Sequence, residues 1–210
     1  MSGTILVLVG GASVLFAAGI KLYWFIGGGA VAAAGLFFIM TQTSYMATRL
    51  AIWKDPWNDG MNGRDKGFQI IQSLYAIGSG GLLGVGFGKS RQKFLYLPES
   101  ENDYIFSIWC EEMGFVGAAI VILLFILLVI RGYWIAVHAR DRFGALLVVG
   151  ITTLTAVQVF LNISVVTNLI PSTGISLPFF SYGGTALMIQ LAEMGMVLSV
   201  SRQIPAPKQE

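Results

Sequence analysis

Lys89, Arg91 and Lys93 put three cations within five residues, and the acids Glu99, Glu101 and Asp103 follow closely. An arginine grips a phosphate through two parallel hydrogen bonds, while a lysine acts as a point charge. The set therefore suits a diphosphate head group, and equally a solvated basic loop or contact with anionic lipid. Asp103 is the last acid before a long apolar run. On a helix starting there its carboxylate lies in the first turn, near the positive end of the helix dipole. It reads either as a plain helix-start acid or as a general base held close to cations.

Further groups invite chemistry. Glu111 and Glu112 are adjacent acids just inside the apolar run. Acids there are costly and usually have partners, so a structural ion pair with the basic residues of the loop is expected. Gly84, Gly86, Gly88, Lys89 and Ser90 imitate a nucleotide-binding loop, but that motif requires glycine where Leu83 stands. No strand precedes it either. A flexible turn or a glycine-lined pocket wall is left. Thr152, Thr155, Gln158 and Asn162 recur at helical spacing and share one face, as for hydrogen bonding between helices. Pro171 to Gly184 is a two-proline turn carrying Ser172, Thr173, Ser176 and Ser181 and ending in two glycines. By itself it reads as a re-entrant loop.

The elements that hold these residues are membrane helices. Hydrophobic residues are 55% of the 210 and charged ones 11%, whereas soluble domains carry about one quarter charged. One stretch of 55 residues, Arg49 to Asp103, holds 13 of the 24 formal charges. The net charge of +2 gives no reason to expect nucleic acid. The single Cys110 excludes an internal disulfide and a cysteine zinc site, and the single His138 argues against a histidine triad or metal centre. Five spans are expected: Ile5–Ile20, Leu22–Tyr45, Tyr104–Ile130, closed by Arg131, Phe143–Val166 and Tyr182–Val200. Glu193 is the one charge inside the last of them.

Lys21, the 131–142 loop and the tail carry basic residues, while the 167–181 loop carries none. The positive-inside rule puts the first set, with the C-terminus, in the cytoplasm, and the long loop outside. Tyr23, Trp24, Tyr133 and Trp134 mark the same boundary as an aromatic belt. Within the long loop, Phe68–Ile77 shows Ile70, Ile71, Leu74 and Tyr75 on one helical face and Gln69, Gln72 and Ser73 opposite. That pattern predicts a short helix on or in the membrane surface. The six glycines of 78–88 predict irregular backbone, tolerated at membrane depth only inside protein or along a wet cavity.

Several segments, in order, resemble the SEDS family (shape, elongation, division and sporulation), the family of FtsW, RodA and SpoVE. They are Asp55–Trp57, Gly67–Gly78, Ser90–Lys93, Leu97–Glu99, Asp103–Phe106, Glu111–Gly114 and Thr173–Gly184. The wording at Phe68–Ser73 and Ser90–Lys93 is nearer the division and sporulation branch than the elongation branch. The resemblance implies an all-α polytopic membrane bundle of about five spans, equivalent to the last five of about ten. One membrane domain, 1–210, would carry a large extracellular loop, 46–103, with short helices. Met1 would sit where a full-length family member is in mid-chain.

The activity so implied is a peptidoglycan glycosyltransferase of the bacterial plasma membrane, polymerising lipid II at its outer face in division or sporulation. Asp103 falls on the family's essential aspartate. The basic run, with Glu99, Ser176 and Ser181, would bind substrate. Any divalent cation would bridge the substrate diphosphate rather than occupy a protein cage. The expected partners are lipid II, a class B penicillin-binding transpeptidase and other division or sporulation membrane proteins. Two other readings stay open: a transporter of lipid-linked precursors, using the polar stripe and Glu193, and a non-catalytic fragment binding the division machinery.

Overall fold

The computed structural model describes residues 2–42, 44–58, 67–92 and 102–204. Seven helices and no strand occur among them: α1 (Ser2–Ala17), α2 (Leu22–Gln42), α3 (Ser44–Lys54), α4 (Phe68–Gly80), α5 (Ile105–His138), α6 (Arg142–Val166) and α7 (Gly184–Arg202). The all-α expectation holds. Of the five expected spans, α5, α6 and α7 are long and apolar enough to cross a membrane. The first, α1, is a shorter apolar helix of 16 residues. The second, α2, is 21 residues long without a charged side chain.

The α5–α6 pair is the frame. Gly132 lets the helices close: a Cβ there would lie 2.4 Å from Thr152 Oγ1. The Tyr133 hydroxyl and Thr153 Oγ1 are 2.8 Å apart across the same seam. On the other side of α6, Gly10 of α1 meets Leu154 and Gly150 meets Val14. Small residues at crossings bring helix backbones together where no hydrophobic effect drives them. One apolar cluster, with Phe106, Val121, Phe125, Val166 and Leu177, lies at the end of the pair near the α6–α7 loop. A second, with Ile135, Val148, Ile151, Val197 and Val200, lies at the other end.

Three sequence expectations change. The helix of the third span does not stop at Ile130 but runs on to His138. Arg131 lies within this helix, and its guanidinium sits 4.2 Å above the Trp134 ring, on which His138 also stacks. The segment expected as loop begins with α3. And α4 is not a surface helix with a 70–71–74–75 face. It buries Ile70, Ile71, Ser73, Ala76 and Gly80 and leaves Leu74 and Tyr75 outside. Ser73 is in the core because its hydroxyl donates to Val166 O at 2.8 Å and lies 2.6 Å from Ser107 Oγ.

The start of α6 is set by Asp141, whose Oδ2 accepts from Gly144 N at 2.8 Å. Asp141→Ala should destabilise the folded chain by about 1 kcal/mol, the usual worth of such a cap. A thermal unfolding scan in detergent would check it, an unchanged midpoint being the contrary result.

The glycine segment after α4 is inserted into α5. At Gly114 α5 leaves helical geometry, with φ 64° and ψ −166°. In an unbroken helix Phe115 N and Val116 N would donate to Glu111 O and Glu112 O. Here Val85 N and Gly86 N donate to those carbonyls, at 3.0 and 3.1 Å. Phe115 N and Val116 N donate instead to Gly81 O and Leu82 O, at 2.9 and 3.2 Å. The irregular backbone thus has these polar groups satisfied against α5, while Leu82, Leu83 and Phe87 stay exposed.

Candidate functional site

Four elements converge on Asp103, which is half-buried in the turn before α5. Its own carbonyl accepts from Asn162 Nδ2 of α6 at 2.8 Å. The same amide donates to Ile175 O at 2.7 Å, tying the α6–α7 loop to the turn. Ser181 Oγ donates to Asn102 O at 2.6 Å and accepts from Leu177 N at 2.7 Å. The carboxylate lies beside Gly174, where a Cβ would come within 3.3 Å of Asp103 Oδ2. Gly174 has φ +70°, so glycine serves both the turn and the close approach.

From α3, Arg49 donates through Nη1 to Ser172 O. Trp53 Nε1 donates to Asn168 O at 3.1 Å, so α3 is pinned to the same loop. Tyr104 is buried, with the Asp103 carboxylate and the Arg49 guanidinium both close to its phenol. From α7, Gln190 Oε1 accepts from Phe179 N at 2.8 Å and holds the loop's far end. The arrangement fixes the backbone on both sides of one carboxylate, as a positioned general base requires.

The other expected residues fall as follows. Lys89 and Arg91 are exposed. Lys93 and Glu99 lie outside the described residues. Ser176 is half-buried in the loop that borders Asp103. The Ser181 hydroxyl hydrogen is committed to Asn102 O, so this serine positions the turn. Glu111 and Glu112 are both buried, but the expected ion pair is replaced. The Glu111 carboxylate accepts from Ser90 Oγ at 2.5 Å, from Arg91 N at 3.1 Å and from Gln92 N at 3.3 Å. Three hydrogen-bond donors held at short range thus satisfy this buried carboxylate. Glu112 Oε1 is buried without a hydrogen-bond partner among the described residues. The segment that imitated a nucleotide-binding loop has the Val85 and Gly86 amides already bonded to α5.

Arg49 and Gln190 were not singled out from sequence. Arg49 was visible only as the start of the charge-rich stretch, and Gln190 gave no signal. Asn162 was visible as the last member of the polar stripe. The stripe itself divides: Thr155 Oγ1 donates to Ile151 O within α6, Thr152 packs on Gly132, and Asn162 anchors two loops. Asn162→Leu removes both donors and leaves two carbonyls unsatisfied. We expect a loss of about 2–4 kcal/mol and weaker activity, read by thermal unfolding and by assay of the same preparation. An unchanged midpoint would mean that the loop does not depend on this amide.

The family model described as a cell cycle protein, FtsW/RodA/SpoVE, matches residues 1–205. Stage V sporulation protein E of Bacillus subtilis (strain 168) is 47% identical over 201 residues, 95% of this chain and 54% of that protein. A probable peptidoglycan glycosyltransferase FtsW of Geobacter sp. (strain M18) is 44% identical over 190 residues, 90% of this chain and 51% of that protein. The chain thus spans about half the length of the curated relatives it matches. Among solved structures, one chain is similar with TM-score 0.75 and 31% identity, over 99% of this chain and 57% of that one. Its structure is described as showing the "structural coordination of polymerization and crosslinking by a peptidoglycan synthase complex". The chain belongs to the FtsW, RodA and SpoVE family of cell cycle proteins.

Proposed function

We propose that this chain carries the catalytic half of a peptidoglycan glycosyltransferase that polymerises lipid II at the outer face of the plasma membrane. The observation that carries the reading is the half-buried Asp103, whose carbonyl is held from α6 by Asn162 and whose carboxylate faces Gly174. The names of the relatives, and the synthase complex to which one similar chain belongs, supply the reaction class.

In the proposed reaction the 4-hydroxyl of an acceptor GlcNAc attacks the anomeric carbon of a MurNAc held on undecaprenyl diphosphate, with inversion. Asp103 takes the hydroxyl proton as the new C–O bond forms. The bond to the diphosphate breaks, and the leaving group departs with its electron pair. Lys89, Arg91 and Lys93 stabilise the charge that develops on it. Ser176 and Glu99 would contact the sugars. Any divalent cation travels with the diphosphate. A class B penicillin-binding transpeptidase is the proposed partner, and the tail faces the cytoplasm. No second reading is favoured: Asn162 and Thr152 of the polar stripe serve loop anchoring and helix packing.

The test is lipid II polymerisation in liposomes by this chain, alone and co-expressed with the N-terminal half of a family member. Glycan strands that disappear with Asp103→Asn support the reading. Folded chain that gives no strands in either format overturns it.

A further inference from the structure

The basic run is useful only if its backbone is held still, because exposed lysine and arginine side chains lose much conformational entropy when they bind. Lys89 and Arg91 are exposed, yet Ser90 between them is 1% exposed. What holds it is Glu111, itself 2% exposed. One Glu111 oxygen takes the Ser90 hydroxyl and the Gln92 amide, and the other takes the Arg91 amide. Successive backbone amides closing on one anion form a nest. In this nest the anion is a side chain of the protein itself. It draws the backbone of 90–92 inward at α5 and leaves the flanking cations outside.

Glu111 is in turn held from below. Its carbonyl accepts from Val85 N, in the same glycine segment that leads into Lys89. Both ends of the 85–92 segment are thereby fastened to one residue: Val85 by the Glu111 backbone, 90–92 by its side chain. Lys89 sits in the arc between, itself braced by a bond from its amide to Gly86 O at 3.1 Å.

The geometry points to Glu111 as a positioning residue that pre-shapes the Lys89–Arg91 arc for a diphosphate leaving group. This rests on the reading of the chain as a lipid II polymerase and names how its basic run is set. Glu111 does not touch substrate. Its carboxylate is spent on Ser90 and the two amides, so it acts on the diphosphate only through the shape of the arc.

The test uses the full chain in nanodiscs, with Glu111→Gln as a near-isosteric variant and Glu111→Asp as the conservative one. Two readouts are taken. The first is hydrogen exchange at the amides of 90–92. The second is equilibrium binding of undecaprenyl diphosphate, the probe standing for the leaving group. In Glu111→Gln, exchange should accelerate and binding weaken, each by about tenfold, as expected for the loss of charge-assisted hydrogen bonds. Glu111→Asp should recover part of both. Arg91→Ala should weaken binding strongly in the unsubstituted chain and only slightly beside Glu111→Gln, because a loosened arc no longer presents Arg91.

A residue that merely stabilised α5 would give additive losses and unchanged exchange at 90–92. That result overturns the inference, as does a Glu111→Gln chain that binds the diphosphate as tightly as the original. An unsubstituted chain that binds no diphosphate, while exchange at 90–92 still responds to Glu111→Gln, overturns the polymerase reading and leaves only a structural clamp.

Discussion

An Asp103→Asn chain should insert and accumulate as the original does, yet polymerise lipid II about 10²–10⁴-fold more slowly, the usual worth of a positioned general base. The substitution keeps the size and planarity of the side chain and removes its ability to take a proton. It keeps the bond by which Asn162 holds this residue, since that bond goes to the main-chain carbonyl. Loss of activity at unchanged abundance and unfolding midpoint would therefore point to the proton transfer. The measurement is glycan strand length from defined lipid II in proteoliposomes, with abundance read by immunoblot. Full retained activity would remove Asp103 from the chemistry. A chain that moved lipid-linked precursor normally but made no strands, with or without the substitution, would instead favour a transporter.

The second large effect is structural. Gly114→Ala should cost on the order of 4 kcal/mol and lower the amount of folded chain sharply. Two causes add. Gly114 occupies a region with positive φ and extended ψ that only glycine adopts readily, which costs a side chain about 1–3 kcal/mol. A Cβ there would also lie 2.4 Å from Gly84 N and 2.6 Å from Leu82 O. Those atoms belong to the inserted segment, so the overlap would push apart the four backbone bonds that join 81–86 to α5. Glu111 would shift with them, and the basic arc would be lost in the same event. Gly195→Ala is the matched control, since a Cβ there meets nothing within 4 Å and alanine favours the helix interior. Thermal unfolding of the two variants in one detergent decides the matter: equal midpoints would show that the break at Gly114 is not specified by glycine.

Much of the helical plan was legible beforehand because apolar runs of span length admit few alternatives. The starts of α2 and α6 fall at or within one residue of their expected positions, and α7 ends two residues beyond its own. The failures share a cause. Arg131 read as the end of a span, since a charge normally closes one, but the helix continues and Trp134, one turn on, offers its ring to the guanidinium. The Ser73 side of α4 read as the wet face, since serine is polar, but Val166 O and Ser107 supply it with partners in the core. In both places a partner within the fold reversed what the residue's own polarity implied.

The sequence by itself determined that this is a helical membrane chain, that its polar chemistry is gathered before α5, and that Asp103 is the acid at the mouth of that helix. Those conclusions depend on residue type and local spacing, which solvation and helix geometry translate directly. Only the tertiary structure decided what surrounds the acid. Asn162, Gly174 and Ser181 reach the Asp103 turn from 59 to 79 positions away, and Arg49 holds the loop that faces it. It also decided that Glu111 grips backbone amides instead of a cation, and that a glycine segment replaces two hydrogen bonds of α5. Backbone amides and carbonyls are the same at every residue. No residue type announces that its main chain will bond to a distant segment, so such contacts become visible only once the helices are packed.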